Sequence, residues 1–108
     1  VSSKVLIPAK LAEIAQTTQY TATGVKATID KFTATNTSVN DATLSVNLVA
    51  SGGTAGTGNL IVDTRVIAPG ETYTCPELVG HNIDLGGFIS TASSANVITI
   101  RASGREIS

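Results

Sequence analysis

The groups in this chain able to do chemistry are few and scattered. His81 is the one histidine; it can act as a general base with Asp84 or Asp63 to orient it and one of the many serines as nucleophile. The Gly-x-Ser-x-Gly elbow that presents such a serine is absent, and hydroxyls this abundant come near a histidine by chance. Glu71, Glu77, Asp63 and Asp84 could supply the two carboxylates of glycoside hydrolysis, but sequence spacing does not fix their separation across a sugar ring. One His and one Cys, with carboxylates at no ligand spacing, do not make a metal site. Cys75 lies between Thr74 and Pro76 with no basic neighbour to lower its pKa, so it reads as an inert, partly buried thiol. These residues point away from an enzyme, a cofactor or a metal.

The glycine-rich stretch Ser51 to Asn59 invites a phosphate-cradle reading, but it has no Lys and leads into a strand, whereas a P-loop needs Gly-Lys-Ser/Thr feeding a helix. It is expected to be a flexible loop or one that orders against a neighbouring subunit. Near the other end, Arg101, Arg105 and Glu106 are candidates for ion pairs at a subunit boundary. Gly53, Thr54, Gly56, Arg101, Arg105 and Glu106 are therefore the expected contact residues.

Composition narrows the class. With 108 residues the chain is expected to form one domain, residues 1–108, with a core of Val, Ile, Leu and Ala, since there are two Phe, two Tyr and no Trp or Met. Charged residues are 14% and the net charge is −1, so no broad electropositive field is available for nucleic acid. The remaining Thr/Ser/Ala surface suits lasting contact with other protein. A single cysteine excludes an intrachain disulfide. No stretch approaches the roughly 20 apolar residues of a membrane helix, and Val1 to Pro8 lacks a signal-peptide apolar run. Cytoplasmic synthesis and no membrane partner are the expectation, so Asn36-Thr37-Ser38 reads as a turn despite matching the glycosylation pattern.

The elements that must position these residues are strands. Ala42 to Val49 and Asn96 to Ala102 alternate apolar and polar residues with the period of a half-buried strand. Lys4 to Ile7 predicts a terminal strand closed by Pro8, and Leu11 to Thr21 an extended segment. Thr23-Gly24 is a turn. Val25, Ala27 and Ile29 alternate, then Phe32 and Ala34 continue with opposite parity, which predicts a bulge at Asp30-Lys31. Asn36 to Asp41 is expected to join two strands as a hairpin. Leu60 to Ile67 is a strand, and Ala68-Pro69-Gly70-Glu71 predicts a type II turn with Gly70 at φ > 0. Pro76 to Gly80 suggests one helical turn, and Asp84 to Gly87 a turn before a strand at Phe88. Phe32 and Phe88 are assigned to the core, Tyr20 and Tyr73 to the surface. Turns roughly every 8 to 12 residues predict an all-β antiparallel sandwich, with a jelly roll as its candidate topology.

The segments Ile29 to Asn36, Ala68 to Tyr73, Leu78 to His81 and Ile100 to Glu106 together resemble small β-sandwich structural proteins of tailed bacteriophage virions. The resemblance runs from Val25 onward and rests on turn and strand motifs. It implies a non-enzymatic virion component, made in the host cytoplasm, whose copies sit on a capsid, neck or tail; joined to the low-charge Thr/Ser surface and the lack of site chemistry, it makes a capsid decoration or cement protein the expectation. Its partners would be copies of itself, as a trimer or other ring, and a larger virion protein such as the major capsid protein. A neck, collar or tail accessory protein is the alternative, and a small carbohydrate-binding module a further one.

Overall fold

A computed structural model describes residues 2–107, with side chains from Ser3 onward. The strands are β1 (Ser2–Leu11), β2 (Thr17–Thr21), β3 (Lys26–Asn36), β4 (Ala42–Val49), β5 (Leu60–Ile67), β6 (Thr72–Tyr73), β7 (Asn82–Ile83), β8 (Phe88–Ser93) and β9 (Ile98–Ile107). They form a five-stranded sheet ordered β1-β9-β3-β6, with β7 also on β3, and a four-stranded sheet ordered β2-β8-β4-β5. Every pairing is antiparallel. The protein is an antiparallel β-sandwich.

The pairings are nested: β1 meets β9, β2 meets β8, β3 meets β6 and β7, and β4 meets β5. With β6 and β7 as two pieces of one strand, this is a long hairpin folded over on itself, the jelly-roll arrangement. Alternation sends one side chain in two inward. On β3, Ala27 and Ile29 face in, a register shift falls between Ile29 and Lys31, and Phe32, Ala34 and Asn36 continue the buried set. The bulge expected at Asp30-Lys31 is present. Phe32, Ile7, Ile29, Leu44, Ile67, Leu78, Ile89, Ile98 and Ile100 are the largest fully buried apolar side chains, each contributing about 1.5–3 kcal/mol by removal from water. Gly104 lies in this layer because a Cβ there would come within 2.0 Å of the Thr28 carbonyl oxygen.

Several local expectations change. Pro8 does not close β1, which runs to Leu11; Pro8 falls on an edge strand inside the register shift between Ile7 and Lys10, where no ladder donor is required. Asn36 to Asp41 is not a hairpin, because β3 and β4 lie in different sheets. The chain between Leu11 and Thr17 likewise crosses between sheets, and only Thr17–Thr21 is a strand. Pro76 to Gly80 forms turns without a helix, because the segment is captured by β3: Gly80 N donates to Ile29 O at 2.7 Å and Ile29 N to His81 O at 3.0 Å. Tyr20 is buried and Phe88 only half-buried, since Tyr20 takes an inward position on β2 while Ile89, the residue after Phe88, fills the core.

Candidate interaction surfaces

The expected contact residues fall in two places on opposite sheets. Gly53, Thr54 and Gly56 belong to the loop between β4 and β5, which folds back to Asn47 of β4. Asn47 is buried, and its Nδ2 donates to Gly56 O at 2.9 Å and to Asn59 Oδ1 at 2.8 Å. Asn59 in turn donates through Nδ2 to Thr54 O at 2.9 Å and accepts from Gly56 N at 3.0 Å. A short 3₁₀ turn, Thr57–Asn59, completes the loop. The stretch expected to be flexible is thus tied down by amide side chains that satisfy backbone groups no ladder reaches.

Gln16, from the crossing before β2, donates to Asn47 Oδ1 at 3.2 Å and to Ser90 Oγ at 2.8 Å. Between loop and sheet lies a shallow depression of about 260 Å³ whose lining includes Gln16, Ser45, Asn47, Gly56, Thr57 and Ala92. Its polar groups are neutral amides and hydroxyls. It can hydrogen-bond an uncharged partner such as peptide backbone or a sugar hydroxyl, and it offers no acid or base.

The second place is the outer part of the larger sheet at the β1 edge. Arg105 grips Asp30 with two bonds, Nε to Oδ2 at 3.1 Å and Nη2 to Oδ1 at 3.2 Å. Glu106 accepts from the Tyr20 hydroxyl at 2.6 Å and from Lys4 Nζ at 3.2 Å. That joins β1, β2 and β9, hence both sheets. The Tyr20 hydroxyl, helped by Lys4, holds the Glu106 carboxyl below its usual range. Burial, with Glu106 beside it, pushes the Tyr20 phenol up. Arg105 and Glu106 are therefore engaged within their own chain, while Arg101 is exposed opposite Thr33. A depression of about 390 Å³ lies beside these pairs, lined by Ser3, Lys4, Val5, Asp30, Ser103 and Gly104.

His81 is exposed, and no described side-chain hydrogen bond or ion pair joins it to Asp84, Asp63 or a serine. Among the described residues no group of His, Cys, Asp and Glu is placed to hold a metal ion. Cys75 is fully buried, beyond the partial burial expected, and desolvation pushes its thiol up to about 12. Sequence reasoning missed the cluster around it. Arg65 of β5 stacks on Tyr73 of β6 at 4.2 Å from the ring centre, and the Tyr73 hydroxyl donates to Glu77 Oε2 at 2.6 Å. Burial and the neighbouring Glu77 push the Tyr73 phenol up to about 12, while that hydroxyl keeps Glu77 low. Arg65 stands on the smaller sheet and Tyr73 on the larger, so the stack clips two edges together. No periodic signal marks such a contact.

No family model, curated protein or solved structure matches this chain.

Proposed function

We propose that this protein is a structural component of a tailed-bacteriophage particle, a capsid decoration protein that binds the assembled head and stabilises it. The observation that carries the reading is the jelly-roll strand order, an architecture that recurs in viral shell domains. Fold alone does not assign function. Two further features support the reading: the resemblance of the turn and strand motifs, and a surface built for contact. The smaller sheet offers a neutral depression between Gln16, Asn47 and the Gly53–Gly56 loop. The larger sheet presents a Thr/Ser face with Arg101 exposed. Each contact on a shell protein contributes little, but repetition over symmetry-related copies sums to a large effect.

The test is to locate and count the protein in purified particles. Many copies arrayed over the head are expected. A small ring at the neck or along the tail would favour the accessory alternative, and absence from particles would remove both. A carbohydrate-binding module is the other reading that the amide-lined depression permits. A glycan array on the wild type and on Gln16→Ala separates it, because specific glycan binding lost in the variant would favour that reading over the shell.

A further inference from the structure

We propose that the N-terminal half of β1 is a self-docking edge: Ser2 to Lys4 of one copy pairs antiparallel with the same stretch of a second copy. The pairing joins their larger sheets into one. A sheet edge leaves a row of backbone donors and acceptors open, and proteins blunt such edges with short strands, bulges, proline or charge. The other edges here are blunted. β2 is 5 residues long with a register shift at Thr18/Tyr20. β5 has two register shifts and Thr64 at φ 48, and β6 and β7 have 2 residues each.

β1 is different. It has 10 residues, and its blunting devices, Pro8 and both register shifts, lie between Val5 and Lys10. Ser2 to Val5 keeps an unbroken register against Glu106 to Ser103 on one side, and among the described residues nothing pairs with its other side. Lys4 is the one charge on this stretch. It does not guard the edge, because its ammonium is held by Glu106 of the same chain at 3.2 Å. Val5 is 40% exposed.

The occupant is a second copy because the edge is self-complementary. An antiparallel pair centred on Ser3 sets each Lys4 opposite Ser2 of the partner subunit, so no like charges face each other directly. Such a contact is isologous and closes as a two-fold dimer, in place of the ring that the family resemblance implies. The inference rests on the assembly reading above for its purpose, but the two fail separately. Absence from particles counts against that reading alone, and a virion protein that stays monomeric in solution counts against this one alone.

Sedimentation equilibrium from about 1 μM to about 1 mM, the range of weak protein pairs, tests it. A monomer–dimer equilibrium is expected; a monomer throughout, or a trimer or larger ring, overturns the proposal. Neighbouring residues of an antiparallel strand aim their N–H groups at opposite edges, so Ser3→Pro and Lys4→Pro remove different donors. One of the two is expected to keep the wild-type melting temperature while its dimer dissociation constant rises about tenfold or more. If both keep the wild-type constant, the edge is not the contact. Hydrogen exchange on the wild type covers the case in which both variants unfold. Protection at Ser3 or Lys4 that rises with protein concentration supports the pairing, and protection independent of concentration overturns it.

Discussion

Two residues show how local chemistry fixes what the sandwich tolerates. Gly70 sits at φ 74 in the turn from Ala68 to Glu71, closed by Glu71 N to Ala68 O at 3.0 Å. That is type II geometry, and it follows from Pro69-Gly70 as the sequence predicts. A Cβ at Gly70 meets nothing within 4 Å, so Gly70→Ala introduces left-handed strain without a clash. A loss of about 1 kcal/mol in urea unfolding is expected, and an unchanged midpoint would remove the assignment. Glu106 makes the pH argument. Its folded-state pKa lies below the ordinary value because the Tyr20 hydroxyl and Lys4 favour the carboxylate. A depressed pKa means the folded chain binds fewer protons than the unfolded one, so the stabilisation is present above about pH 4.3 and is lost as the pH falls through the folded value. Tyr20→Phe is therefore expected to lower the melting temperature near pH 7 by more than it does in acid below the folded-state value of Glu106, where the carboxyl is protonated in either protein. An equal drop at both would show that the phenol acts through packing alone.

At the scale of elements, the crossing from β3 to β4 shows what periodicity can and cannot reveal. Alternation along Ala42 to Val49 and the parity change near Asp30 are written in side-chain type, and both are observed. Whether a polar turn reverses a strand within one sheet or carries it to the other is not local information. Asn36 looked like a turn former and is instead a fully buried clamp. Its Nδ2 donates to Asn40 O at 2.8 Å and Ile67 O at 2.9 Å, and its Oδ1 accepts from Ser38 N at 2.9 Å and Ser38 Oγ at 2.8 Å. The backbone of the same residue bonds Glu71 and Gly70, so one asparagine ties the crossing to the β5–β6 turn. Asn36→Ala strands these buried partners and is expected to cost about 1–3 kcal/mol. A loss below that range in thermal or urea unfolding would mean that water replaces the amide. The interaction surfaces were legible to a similar degree. The Gly53–Gly56 loop was visible as glycine, but its anchor Asn47 reads in sequence as an ordinary polar strand position. Arg105 and Glu106 were visible as charges, but their partners Asp30, Lys4 and Tyr20 are distant in sequence, and only the folded register brings them close.

For the whole molecule, nesting sets the order in which contacts can form. Closing a loop costs more entropy the longer it is, so β4 on β5 is the least costly pairing and β1 on β9 the most costly, with Ser2 opposite Glu106. A fold dominated by such distant pairings is expected to form in milliseconds to seconds or slower, with β4–β5 contacts early. Circular permutation reverses the nesting without changing the native contacts. Ser2 of β1 lies opposite Glu106 of β9, so a short Gly/Ser linker can connect these strands, and opening the chain between Gly53 and Thr54 severs no described hydrogen bond within the loop. β9 and β1 then become a local hairpin, and β4 and β5 become the outermost pair. The permutant is expected to give the same far-ultraviolet circular dichroism as the parent. Val46→Ala, at the buried β4–β5 contact, should slow folding of the parent but mainly speed unfolding of the permutant. Ile100→Val, on the β1–β9 pair, should do the reverse. If Val46→Ala slows folding equally in both chains, the nucleus is set by local sequence in β4 and not by the nesting of the sandwich.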